Sequence, residues 1–134
     1  MPELPEVETT IRYLKSKVKG KKIISINRSQ KKLRKNLNFK DLEQISQKKI
    51  ISVERFAKYI IIGLENDNYV IIHLGMSGRL KFYLNENYKK EKHDHVVLQF
   101  NEFKIIFNDP RRFGMFFRLK AVSYTHLTLP TTRL

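Results

Sequence analysis

Leu4, Val7, Ile11, Leu14 and Val18 recur at intervals of three and four residues, with polar or charged positions between them. A single apolar stripe at that spacing predicts an amphipathic helix over 4–19, with Pro5 in its first turn and Gly20 as its stop. Glu3, Glu6 and Glu8 fall at its start and Lys15, Lys17 and Lys19 at its end, the polarity a helix dipole favours. Phe39, Leu42 and Ile45 repeat the spacing over 39–47, where Asn38 can cap a second, shorter helix. Elsewhere β-branched and aromatic runs predict strands at 22–28, 49–56, 59–64, 69–74, 79–84, 95–100 and 103–107. Glu65 to Asn68 and Asn101-Glu102 carry hairpin-turn chemistry, and Gly75 and Gly78 bracket a bend at Met76-Ser77. Short strands behind one long helix predict an α+β, mostly β domain. Its expected form is an antiparallel β-sandwich flanked by an N-terminal helix and a second short helix.

Composition narrows the class of partner. The 134 residues, 41% of them hydrophobic, suffice for one domain with a core. Lys and Arg total 27 against 13 for Asp and Glu, a formal charge of +14. Such a surface repels itself unless a polyanion neutralises it, and nucleic acid is the commonest. From Lys15 to Lys58 there are fifteen basic residues and three acids, Asp41, Glu43 and Glu54, interleaved with apolar positions. The basic surface therefore belongs to a folded element rather than a tail. There is no cysteine, which excludes disulfides and Cys-based zinc sites within these residues. Acids ahead of any basic residue argue against a secretory signal, and runs such as Tyr59-Ile60-Ile61-Ile62 are too short to span a bilayer. The expectation is a cytoplasmic, membrane-independent protein that acts as a monomer.

The opening Met1-Pro2-Glu3-Leu4-Pro5-Glu6-Val7-Glu8-Thr9 carries the most chemistry. Removal of Met1 ahead of a small residue would leave Pro2 with a secondary amine of pKa roughly 8, partly unprotonated near neutrality and able to attack a sugar C1′. The resulting iminium forms without loss of a further proton. Glu3 can shuttle protons to the ring oxygen or the departing base. The helix end beside it would depress the amine pKa but also hold Glu3 ionised. The same residues also fit a plain proline-started, acid-capped helix. His93 and His95, two apart, would share one face of a strand, but no third ligand has metal-site spacing, so no metal is expected.

Pro2 to Thr9 resembles the N-terminal signature of the formamidopyrimidine-DNA glycosylases, the MutM-type 8-oxoguanine glycosylases. Four further stretches resemble later blocks of that family in the same order: Arg55-Phe56-Ala57-Lys58-Tyr59, His73-Leu74-Gly75-Met76-Ser77-Gly78, Lys92-His93-Asp94-His95 and Asp109-Pro110-Arg111-Arg112-Phe113-Gly114. The resemblance implies base-excision repair of double-stranded DNA containing oxidised purines, with glycosylase and AP-lyase chemistry. It makes Pro2 the Schiff-base nucleophile and Glu3 the acid. Lys58 is implied to bind the phosphate beside the lesion and assist β-elimination, and His73 and His93 to contact DNA. Met76, Arg111 and Phe113 are implied to wedge the gap left by the extruded base, with Arg111 reading the orphaned partner base. A planar donor fork beside an apolar ring suits that task.

Two other readings remain open: a non-catalytic basic nucleic-acid-binding module using the same surface, and an endonuclease VIII-like glycosylase for oxidised pyrimidines.

The resemblance covers 1–119. The family continues into a helix-two-turns-helix domain and a four-cysteine zinc finger, so no cofactor is expected within these residues. Residues 120–134 turn threonine-rich, with a single arginine and no acid after Lys120. They are expected to be a non-native tail from a sequencing or assembly junction, or else an ordinary strand over 124–129 ended by Pro130. A chain holding one wall of a two-walled site is expected to bind DNA weakly and turn over little.

Overall fold

The computed structural model describes residues 4–29 and 38–121, so Pro2, Glu3 and the 122–134 stretch lie outside the described residues. Helix α1 (Leu4–Val18) follows the apolar stripe, with Val7, Ile11, Leu14 and Val18 buried. Gly20 ends it at φ +81°, a left-handed turn that glycine adopts without Cβ strain, and its N–H donates to the Ile50 carbonyl at 2.8 Å.

The strands are β1 (Ser25–Arg28), β2 (Ile50–Phe56), β3 (Tyr59–Leu64), β4 (Asn68–His73), β5 (Arg79–Leu84), β6 (Asp94–Gln99), β7 (Phe103–Asn108) and β8 (Met115–Lys120). They form two four-stranded antiparallel sheets, ordered β1-β6-β7-β5 and β2-β3-β4-β8. Inward residues of both sheets and the stripe of α1 share one core, where Phe107 of one sheet meets Phe116 of the other with ring centroids 5.9 Å apart. The expected helix-flanked antiparallel sandwich is the fold observed. No helix among the described residues is long and apolar enough to cross a membrane.

Three expectations change, each through a tertiary hydrogen bond. The run 22–28 is not one strand. Lys22 bridges Lys49 and the Ile23 N–H donates to the Lys48 carbonyl, whereas the Ile24 N–H donates to Gln99; the chain crosses there from the edge of one sheet to the edge of the other. The second helix is shorter than 39–47: α2 (Phe39–Leu42) continues as a 3-10 turn over Glu43–Ile45. Asn38 caps it as expected, accepting from the Asp41 N–H at 3.0 Å. The side chains of Ser46 and Gln47 both donate to the Ile24 carbonyl, and Gln47 turns to φ +67°, which draws the chain out of the helix. Finally, β8 was not expected at all. It completes the second sheet by pairing with β4 from His73↔Met115 to Asn68↔Lys120, and Arg118 anchors it to Asn68 and Asp41.

A buried polar cluster closes the β5–β6 connection over β7. Asp94, 1% exposed, accepts from Asn108 and Lys81 on one oxygen and from the Tyr88 hydroxyl and Glu91 N–H on the other. Burial opposes the Lys81 charge, but its bonds to Glu91 and Asp94 outweigh that and raise its pKa above 10.5. Burial also opposes the Asp94 charge; the bonds from Asn108, Glu91, Lys81 and Tyr88 outweigh it and hold the pKa below 3.8. The Tyr88 hydroxyl is pushed above 10.0, by burial first and then by Asp94. A lowered carboxyl pKa stabilises the fold above pH 3.8, and that contribution is lost as pH falls through the folded value. Raised pKa values stabilise below 10.0 for Tyr88 and 10.5 for Lys81, with loss as pH climbs through the folded values. Denaturant midpoints measured across pH are expected to fall at both extremes, and Asp94→Asn to lower the plateau and flatten the acid limb.

Candidate nucleic-acid interface

The antiparallel registers bring the motif loops to one end of the sandwich. Phe56↔Tyr59, Tyr59↔His73 and His73↔Met115 align the β2–β3 turn, the end of β4 and the start of β8. Arg79↔Asn108 and Asp94↔Asn108 align the start of β5, the end of β7 and the start of β6. The first turns of α1 reach the same end, because Arg55 pairs with Glu8 (Nε to Oε1, 2.6 Å) while donating to the Ala57 carbonyl at 2.8 Å. Lys58 follows Ala57, which sits at φ +52°, and is half-buried in this turn rather than within an apolar strand.

Asp109, fully buried, joins the loops. Its Oδ1 accepts from the Ser77 hydroxyl at 2.7 Å and its Oδ2 from the Gly114 N–H at 2.7 Å. Its own N–H donates to the His93 carbonyl at 3.0 Å, and its carbonyl accepts from the Arg112 N–H at 3.2 Å. Ser77 Oγ in turn accepts from the Arg111 N–H at 3.0 Å. The β4–β5 loop carrying Met76 and the β7–β8 loop carrying Arg111 and Phe113 are thereby bound together. Met76 is 40% and Phe113 44% exposed, and the Arg111 guanidinium lies 5.7 Å from the Phe113 ring centroid. The three proposed wedge residues thus share one exposed end of the fold.

The loops touch through their backbones. Gly75 sits at φ +62°, and a Cβ there would come within 2.6 Å of the Gly114 nitrogen and 2.7 Å of the Phe113 carbonyl carbon. Gly75→Ala therefore incurs left-handed strain of about 1–2 kcal/mol and a main-chain clash that only separation of the loops relieves. Equilibrium denaturation is expected to show a loss of at least about 2 kcal/mol.

His73 closes β4 with its Nδ1 accepting from the Gly75 N–H at 3.0 Å, so the neutral ring carries its proton on Nε2 as a donor. The Tyr59 ring packs on it edge-on, centroids 4.9 Å apart. His93 and His95 do not share a strand face. His93 lies in the turn before β6, half-buried, and the ladder is irregular between Asp94 and Val96. His95 is wholly buried, its Nε2 bonded to the Asp109 carbonyl at 2.8 Å and its Nδ1 3.3 Å from Ser29 Oγ. Among the described residues no group of three or more His, Asp or Glu is arranged to hold a metal. Pro2 and Glu3 precede α1 and lie outside the described residues. The sequence reading missed Asp109, Ser77, His95 and the Glu8–Arg55 pair. A buried Asp before Pro110 and a Ser between two glycines were visible as turn residues, but nothing local pairs positions 32 apart.

The profile described as Formamidopyrimidine-DNA glycosylase N-terminal domain matches residues 1–116. The chain is 48% identical over 118 residues to the formamidopyrimidine-DNA glycosylase of Rickettsia bellii (strain OSU 85-389), covering 87% of this chain and 43% of that protein. It is 46% identical over 122 residues to that of Rickettsia africae (strain ESF-5), covering 90% and 44%. Among solved structures it superposes with a TM-score of 0.79 on the Lactococcus lactis enzyme in complex with FAPY-dG-containing DNA, at 34% identity over 87% of this chain and 44% of that one. The Lactococcus lactis enzyme with abasic-site DNA gives 0.80 at 33% identity, over 88% and 43%. The chain thus spans less than half the length of the relatives it matches. Sequence, fold and the ordered motif loops agree: the chain belongs to the formamidopyrimidine-DNA glycosylase family and represents its N-terminal domain.

Proposed function

We propose that the chain supplies the nucleophile-bearing wall of a base-excision DNA glycosylase with AP-lyase activity on oxidised purines, 8-oxoguanine and formamidopyrimidines. It is read as a monomer acting in the bacterial cytoplasm, with no cofactor held by these residues. The observation that carries the reading is the locking of the Met76 loop to the Arg111–Phe113 loop through Ser77 and Asp109, at the end of the fold where Lys58 and the start of α1 also lie. A rigid exposed wedge is what base extrusion needs, because unstacking costs a few kcal/mol that inserted side chains must offset. Solved complexes of the Lactococcus relative with FAPY-dG and abasic-site DNA support the same substrate class.

In this mechanism the Pro2 nitrogen attacks C1′ as the glycosidic bond breaks. The bond's electron pair leaves with the base, which takes up a proton. Glu3 delivers the proton that opens the sugar ring, leaving an iminium between Pro2 and C1′. Abstraction of a C2′ proton then expels the 3′ phosphate by β-elimination, and water releases the sugar fragment from Pro2. Lys58 and the His73 Nε2–H hold phosphates flanking the lesion, His93 makes a further DNA contact, and Arg111 faces the partner base.

Borohydride reduction tests this directly, because it traps the iminium and does not require turnover. With an abasic or 8-oxoguanine duplex at saturating concentration, a denaturation-resistant protein–DNA adduct is expected at the N-terminal peptide. A bound duplex with no adduct, in a chain lacking Met1, would overturn the catalytic reading in favour of a binding module.

A further inference from the structure

Helix α1 runs from the wedge-bearing end to the opposite end and strand β2 runs back from it, and that far end carries a cation cluster the proposed chemistry does not use. Lys19, Lys21 and Lys22 follow α1, and Lys48 and Lys49 precede β2. The bonds from Gly20 to Ile50, Ile50 to Lys21 and Ile23 to Lys48 hold the two segments together. Lys22 and Lys49 are direct partners in an antiparallel bridge, a placement that puts like charges opposite one another and costs stability in isolation. Lys21 and Lys22 also line a surface cleft with Ile24, Asn101 and Glu102.

Three cations elsewhere make ion pairs: Arg55 with Glu8, Lys81 with Glu91 and Asp94, Arg118 with Asp41. Among the described residues none of the five far-end lysines makes an ion pair. The acids facing them are Glu102 in the cleft and Glu65, whose carboxylate accepts from the Lys49 N–H at 2.8 Å, so the cluster stays net positive. The seven residues of β2 separate Lys49 from the Lys58 turn by roughly 23 Å, nearly three times the screening length of about 8 Å at physiological salt. The two basic ends therefore act as independent electrostatic sites.

We propose that the lysine cluster at this far end is a second nucleic-acid surface, holding the sugar-phosphate backbone of a second duplex segment while the wedge end engages the lesion-bearing one. Phosphates between Lys22 and Lys49 would relieve their repulsion, and a backbone contact of this kind carries no sequence preference. The inference rests on the DNA-binding reading above and adds to it a way for the protein to pass between DNA segments without leaving both.

The test uses the full chain and undamaged duplexes labelled with donor or acceptor dyes. Wild-type protein is expected to bring two duplexes together, read as energy transfer that salt abolishes. The fourfold variant Lys21→Gln, Lys22→Gln, Lys48→Gln and Lys49→Gln is expected to lose that transfer. The slope of log Kd against log salt is expected to fall by about 2 to 4, at ~0.9 per phosphate contact, with a melting temperature no lower than that of the wild type because the Lys22–Lys49 repulsion is removed. Borohydride trapping on an abasic duplex is expected to persist in the variant, since the nucleophile is at the other end. Absence of transfer in the wild type, or transfer and slope unchanged in the variant, overturns the proposal. Absence of trapping in the wild type, with its transfer intact, would instead overturn the catalytic reading alone.

Discussion

A chain that keeps Met1 is expected to lose the borohydride-trapped adduct by more than about a hundredfold while still binding duplex DNA. Pro2→Leu produces such a chain, because a bulky second residue blocks aminopeptidase removal of the initiator. Two things change together. The nucleophile becomes a primary amine, and it moves along the chain by about 3.5 Å. A displacement of only about 1 Å from the reactive geometry can cost 10²-fold, so the positional change alone suffices. The pKa of the amine, roughly 8 in either case, is not the cause. Mass spectrometry establishes the terminus, trapping on an abasic duplex reads the chemistry, and fluorescence anisotropy reads binding. Undiminished trapping by a chain shown to retain Met1 would remove Pro2 from the mechanism. A parallel fall in binding and trapping would show instead that the substitution damaged the fold.

Asp109→Ala is expected to destabilise the domain by about 3 kcal/mol and to blunt discrimination between lesion-bearing and undamaged duplex. The side chain is fully buried and both its oxygens accept, from Ser77 Oγ and the Gly114 N–H. Truncation strands the buried Gly114 N–H and removes the anchor of Ser77, and each unsatisfied buried group costs about 1–3 kcal/mol. Ser77 also holds the Arg111 N–H, so the loss propagates to the loop bearing Arg111 and Phe113. Asp109→Asn is expected to cost less. Its oxygen can keep the Gly114 bond while its amide donates to the Ser77 hydroxyl, which retains acceptor capacity. Ser77→Ala should cost about 1 kcal/mol by itself, and little more when added to Asp109→Ala, because the two share one bond. Denaturant titration of the three single variants and the double variant checks the stability, and the ratio of affinities for abasic and undamaged duplex checks the wedge. Equal stability of Asp109→Ala and wild type would refute Asp109 as the tie between the loops.

Much of the architecture could be read along the chain, because burial of one face imprints a local period. The stripe from Val7 to Val18 predicted α1 to within one residue, and the β-branched and aromatic runs at 59–64 and 79–84 coincide with β3 and β5. The motif blocks likewise named residues that the fold gathers at one end, Lys58, His73, Met76, Arg111 and Phe113 among them. The run from Met115 to Lys120 carried a strand's composition too, with Phe116 and Phe117 at its centre. No strand was expected there, and its pairing with β4 is what makes it β8.

What lay beyond the sequence were the pairings between distant positions. That 22–28 divides between two sheets depends on Lys48 and Gln99 arriving on either side of it. That His95 is a core residue while His93 lies in a turn depends on Asp109 and Ser29, the latter 66 positions away. Hydrophobic periodicity specifies which face of an element is buried, since that preference is local and recurs every turn or every second residue. It does not specify which hydrogen-bond partner meets which. That is set by strand register and loop packing, so the sequence by itself determined most of the elements and singled out the candidate side chains, while only the tertiary structure decided that Ser77 and Asp109 would tie the Met76 loop to the Arg111–Phe113 loop.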